Sequence, residues 1–237
     1  MTLLQNVNMQ AQMNVPTLVA ALCFGVPFTL SPEARGVVLL QIDDFEDGTT
    51  DGWANGAVPD PLNISTGGPL GAGDNFLQIT SDGSGSGGKP TSFNRSQWIG
   101  NFIIAGVTGI EMDLKGFSSP GNANLSIRFS LRTSTGSGAP GYVTTSAFSL
   151  PIDGQWHHAV FSLSAMTAVG SPGSLNTVLS GPAEARIFHA TAANTVQGDT
   201  ILGQFGVDNI KSVPEPTTPS CLVIVLGAVL ARRRVNR

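Results

Sequence analysis

Of the 237 residues only two are cysteine and one is tyrosine, and charged side chains make up 12%. Cys23 and Cys221 each sit in an apolar stretch near one end, so a domain formed between them carries neither a thiol nor a disulfide. Such a domain is held by burial, which this length can supply and a much shorter one cannot. Long stretches of Ala, Leu, Glu and Lys are missing too, while 29 glycines and 15 prolines oppose long helices. Strands joined by turns are expected. There is no G-x-S-x-G motif and no free cysteine in the middle of the chain, so the usual nucleophiles are missing.

Basic residues are scarce. Residues 36–212 hold 14 acidic and 7 basic side chains, a net charge of −7. Binding nucleic acid needs clustered cations to neutralise phosphates, so this balance argues against it and suits cations or neutral ligands.

What is present at the two ends is apolar but short. Val15 to Leu30 is followed by Ser31-Pro32-Glu33-Ala34, the length of a secretory signal's apolar core and less than the roughly 20 residues of a spanning helix. No Lys or Arg precedes Arg35, and the small-residue site is a poor one; an N-terminal core segment is the alternative. At the other end Val213-Pro214-Glu215-Pro216 leads into Cys221 to Ala231 and then Arg232-Arg233-Arg234. Arginines resist entering hydrocarbon and favour the cytoplasmic side, so they act as a stop. The division expected is a signal peptide over 1–35, a folded domain over 36–212 and a tail over 213–237, with short apolar helical segments in both ends.

The order of tripeptide, short apolar run and terminal arginines resembles the PEP-CTERM sorting signal of Gram-negative bacteria. That resemblance, over about the last 25 residues, implies export, transient membrane contact and cleavage near Pro-Glu-Pro by an exosortase-like protease. It places the protein in the cell envelope, on the cell surface or in an extracellular matrix such as that of a biofilm. An ordinary tail anchor is the alternative.

Between the ends, short apolar or alternating runs are separated by Gly, Ser, Pro and Asp. Strands are expected near Val37–Phe45, Phe76–Thr80, Gln97–Ile104, Thr108–Leu114, Leu125–Arg132, Tyr142–Leu150, His157–Leu163, Ala185–His189 and Gln204–Ile210. Leu125, Ile127, Phe129 and Leu131 alternate with Ser126, Arg128, Ser130 and Arg132, which gives that strand one core face and one polar face. The fold class expected is all-β, an antiparallel β-sandwich. Asp43-Asp44-Phe45-Glu46, Leu77-Gln78-Ile79, Trp98-Ile99-Gly100-Asn101, Ile110-Glu111-Met112-Asp113, Gly154-Gln155-Trp156 and Val207-Asp208-Asn209-Ile210 are, in that order, similar to jelly-roll domains of the carbohydrate-binding-module type.

Two sites are implied. Calcium takes six to eight hard oxygen ligands, and acidic residues cluster from Asp43 to Asp51. In the modules resembled, a structural calcium uses carboxylates at positions that here are Asp44 or Glu46 with Asp208; a solvated acidic edge is the alternative. Sugar recognition uses aromatic rings and polar side chains, available in Trp53, Trp98, Trp156, Tyr142, Arg128, Arg132, Arg186 and His189. Arg128, Arg132 and Trp156 are the ligand-binding candidates, although core packing is the commoner role of tryptophan.

Catalysis is not expected. Glu111-x-Asp113 is similar to the start of the Glu-x-Asp-x-x-Glu arrangement of jelly-roll glycosidases, but Gly116 stands where the third carboxylate belongs. His157 and His158 point to opposite faces of a strand and cannot easily share one metal. The expectation is a non-enzymatic exported protein that contacts polysaccharide, with a purely structural matrix protein and a glycosidase-like hydrolase as alternatives.

Overall fold

The computed structural model describes residues 36–117 and 124–214. The signal-peptide segment, both cysteines, Glu215, Pro216 and Arg232 to Arg234 lie outside the described residues, as do the apolar helical segments expected at the ends. Two antiparallel sheets face each other. The first runs β2 (Leu62–Ile64), β3 (Phe76–Asp82), β12 (Leu202–Val213), β5 (Gly109–Gly116) and β9 (Trp156–Ser162), with β1 (Ile42–Asp43) also on β12. The second runs β10 (Met166–Val169), β7 (Gly141–Thr144), β6 (Leu125–Arg132), β11 (Glu184–His189) and β4 (Thr91–Asn94), with β8 (Phe148–Leu150) also on β6. This is the expected sandwich, a jelly roll.

Alternation builds its core. Leu125, Ile127, Phe129 and Leu131 of β6 meet Ile110, Met112 and Leu114 of β5 and Phe205 and Val207 of β12 in one apolar cluster. Strand β12 ends one residue beyond the expected limit of the domain, with Val213 opposite Gly109 and its carbonyl accepting from the Thr108 N–H at 3.0 Å. The sheet thus takes in the first residue of the motif Val213-Pro214-Glu215-Pro216. Between Asp208 and Lys211 a bulge shifts the register, with Asn209 at φ +51, a conformation asparagine tolerates better than most residues.

Three expected strands come out differently. Of Val37–Phe45 only Ile42–Asp43 pairs, and Tyr142–Leu150 divides into β7 and β8. Gln97–Ile104 is a turn followed by helix α1 (Phe102–Ala105). The Asn101 side chain accepts from the Ile104 N–H at 2.9 Å, and Gly106 at φ +72 closes the other end. Local capping outweighs the apolar pattern there.

Trp53 and Trp98 belong to this core rather than to a ligand face; both are buried, with ring centroids 6.3 Å apart. Their indole N–H groups donate to the same Asp43 oxygen at 2.7 and 2.6 Å. Burial lifts the Asp43 carboxyl to about 6, against the pull of those two hydrogen bonds.

Candidate functional site

The second sheet's outward face carries a cavity of about 420 Å³ whose lining includes Lys89, Thr91, Phe93, Arg95, Arg132 and Arg186. Register explains the gathering. Arg186 of β11 lies opposite Phe93 of β4 on one side and Ser130 of β6 on the other, and Glu184 lies opposite Arg132. Residues two apart on each strand share this face, and Arg95 follows directly after β4. Four of the seven basic residues in 36–212 line one cavity, and no carboxylate lines it among the described residues.

Glu184, fully buried, holds three of these cations. It accepts from Arg132 at 2.6 Å, from Arg95 at 2.7 Å and from Arg186. Burial alone pushes its carboxyl up, but Arg186, then Arg132 and Arg95, overcome that and keep it below the usual range. Burial lowers Arg186 in turn, with Glu184 opposing. The Arg95 guanidinium also lies 3.9 Å from the centre of the Phe93 ring, a cation–π contact. Two polar atoms of the lining have no hydrogen-bond partner among the described residues, Arg132 Nε and Thr91 Oγ1, and both are buried. A polar group left so costs about 1–3 kcal/mol.

Arg132 therefore lines the cavity, though it is buried against Glu184 and not openly exposed. Arg128 shares its face but does something else. It is 5% exposed and donates to the carbonyls of Thr144, Thr145, Ala190 and Thr191 at 2.7–3.2 Å. The loop 190–200 is thereby held against the sheet, where Ala190 and Val196 pack on Val143 and Phe188, and Ser130 donates to the Val196 carbonyl. Burial depresses the Arg128 guanidinium and the neighbouring His189, whose Nδ1 accepts from the Ser126 N–H at 2.9 Å. The face expected to be open is half covered.

Trp156 lies on the opposite side of the sandwich. On the outward face of the first sheet it meets the Phe76 ring edge-on at 5.4 Å and donates to the Gly67 carbonyl. It also crosses Gly206, where a Cβ would come within 3.1 Å of the indole. The structure does not bring Trp156 together with Arg128 or Arg132. Glu184, Arg95, Lys89 and Phe93 were missed in the sequence, although Glu184-x-Arg186 and Phe93-x-Arg95 show the period of two that places them on one face.

The acidic corner is only partly assembled. Asp44 is exposed and accepts from the Glu46 N–H in a tight turn, while Glu46 accepts from the Asn75 N–H at 2.7 Å. Asp208 is buried, directly opposite Asp113, and accepts from the Asn209 N–H. Burial, reinforced by Asp74, Asp113 and Glu46, pushes its carboxyl up to about 8. Among the described residues no three His, Cys, Asp or Glu side chains are grouped to hold a metal.

Glu111 pairs with Lys211 at 3.1 Å, and Asp113 with His158 at 3.1 Å and with Asn209. His157 turns instead to Asp153. Glu111, Asp113, His157 and His158 thus each have an ionisable partner on the outward face of the first sheet or beside it.

The chain matches no protein-family model and no curated protein. Among solved structures, a family 11 carbohydrate-binding module from Clostridium thermocellum, in complex with a β-1,3-1,4-mixed-linked tetrasaccharide, is 18% identical. The match covers 75% of this chain and 96% of that one, with a TM-score of 0.45. The CBM22-1 xylan-binding domain of Xyn10C from Paenibacillus barcinonensis is 14% identical over 73% of this chain and 94% of its own, with a TM-score of 0.42. An exo-β-agarase is 13% identical with a TM-score of 0.50, the match spanning 78% of this chain but only 26% of the agarase. What this chain shares with that part of the agarase is a fold.

Proposed function

We propose that this is a non-enzymatic exported protein that binds polysaccharide in the cavity on the outward face of the second sheet. The cavity carries the reading. Its volume of about 420 Å³ falls within the range of small-ligand pockets, ~300–1,000 Å³. Its lining combines hydroxyl and amide groups of Thr91, Thr135, Ser137, Asn55 and Gln197 with guanidinium donors, the mixture that hydroxyl-rich ligands require. This lining is what supports the ligand class, since the likenesses to solved structures reach no further than the fold.

Affinity electrophoresis of the purified chain in gels containing polysaccharides tests it. Retardation by at least one glycan, lost in Arg186→Gln, is expected. No retardation by any glycan would instead favour a structural matrix protein, and glycan turnover abolished by Glu111→Gln would favour a hydrolase.

The reading includes export and sorting through the PEP-CTERM-type tail, with an exosortase-like protease as processing partner. Mass spectrometry of the protein recovered from its host should show a new C-terminus near Pro214-Glu215-Pro216; an intact Arg237 terminus would refute it. It also includes a structural calcium at Asp208. Supporting this, Asp208 is a buried carboxylate opposite Asp113, its pKa raised further by the charges of Asp74 and Glu46, and carboxylate oxygens are the hard donors calcium takes. The remaining ligands would have to come from elsewhere, since no three such side chains are grouped there among the described residues.

A further inference from the structure

We infer that the cavity selects sugars bearing an oxyanion, a uronate carboxylate or a sulfate ester, over neutral sugars. The inference rests on the polysaccharide-binding reading and names the chemistry of its ligand. Three observations carry it. First, Lys89, Arg95, Arg132 and Arg186 line the cavity and one carboxylate, Glu184, lies beneath them, so the local charge is strongly positive in a domain that is net negative. Second, Glu184 is shared among three guanidinium groups and cannot occupy the donors of all three; each guanidinium has five N–H groups. Third, the unpartnered atoms Arg132 Nε and Thr91 Oγ1 both belong to side chains of the lining.

A neutral hydroxyl could accept from one such donor. A planar carboxylate or a sulfate presents two or three charged acceptor oxygens, matching the guanidinium fork and returning negative charge to a site with an excess of cations. Arg95 is the side chain best placed to meet a ligand entering from outside, being 41% exposed while its partner Glu184 is buried.

Isothermal titration of the purified chain tests this with three probes: oligogalacturonate, a sulfated galactan oligosaccharide and a neutral xylo-oligosaccharide, each at about 50 and about 500 mM NaCl. At least one anionic probe is expected to bind about tenfold or more tightly than the neutral one, with the advantage shrinking at high salt. Preference for oligogalacturonate identifies the carboxylate as the group recognised, and preference for the galactan identifies the sulfate. Equal or tighter binding of the neutral probe overturns the inference and leaves the polysaccharide reading standing; binding of none of the three, with no retardation in any polysaccharide gel, overturns both. Arg95→Gln and Lys89→Gln, at positions not fully buried, are expected to lose about tenfold for the anionic probe and little for the neutral one. Unchanged anionic affinity in the double variant would also overturn the inference.

Discussion

Glu184 faces Arg132 across β11 and β6 at 2.6 Å, and neither side chain is more than 1% exposed. Removing one member of such a pair leaves the other charge buried without compensation, at about 3–5 kcal/mol. Here the loss is compounded, because Arg95 and Arg186 lose the same acceptor. Glu184→Gln is expected to lower the melting temperature by about 6–20 °C at neutral pH. The depressed carboxyl contributes stability above its ordinary value of 4.5, lost as pH falls below it. Melting curves from pH 6 to pH 3 should therefore converge for the two proteins, and a constant gap would show that Glu184 acts through packing alone.

Asp208 has the opposite sign. Its carboxyl stays protonated in the fold up to about 8 but ionises in the unfolded chain from about pH 4, so in that window the native state binds more protons. With chelator present, stability should fall as pH rises from about 4 to about 8, and Asp43, raised to about 6, adds to the fall over the lower part of that range. Asp208→Asn should flatten the slope and raise the melting temperature at pH 8 by about 4–8 °C. Calcium should stabilise the parent protein at pH 8 and not this variant. If chelator leaves the parent's melting temperature unchanged, the structural calcium is wrong.

Arg128 tests the covering of the second sheet. Arg128→Met removes donors to four carbonyls while keeping much of the side-chain volume, at a cost of about 2–4 kcal/mol. Hydrogen exchange should show residues 191–199 losing protection while the paired amides of β6 and β11 keep theirs. Uniform loss across the sheet would mean that the loop and the strands open together.

Trp156→Ala separates the two faces of the sandwich. The lost contacts with Phe76 and Gly206 should cost about 3 kcal/mol, with glycan affinity unchanged. A tenfold loss of affinity in a variant that still melts cooperatively would move the binding face to the first sheet.

The sandwich was legible because its core strands alternate cleanly. In β6 every apolar residue of the pattern faces inward and both arginines face outward, as the period of two requires. What lies over the outward face was not legible, since the loop 190–200 that buries Arg128 is more than 60 residues downstream and is a mixture of small apolar and polar residues with no periodic pattern. Net charge hides local grouping in a related way. A domain average of −7 does not disclose that strand pairing collects Arg95, Arg132 and Arg186 from three separate segments around one carboxylate. Register is set by long-range pairing, and no local window contains it.

The loop held down by Arg128 also limits the size of what the proposed site could grip. With Val196 and Ala190 seated on Val143 and Phe188, the middle of the second sheet is closed to a ligand, and the cavity lies to one side of it, at the Arg132 end of β6. If the cavity binds a glycan as proposed, one that ran the width of the sheet would meet the loop, and a terminus, a branch or a short stretch of chain is what would enter. Affinity should then level off within the first few sugar units, and long polymers should gain only through the number of ends or branches that they offer.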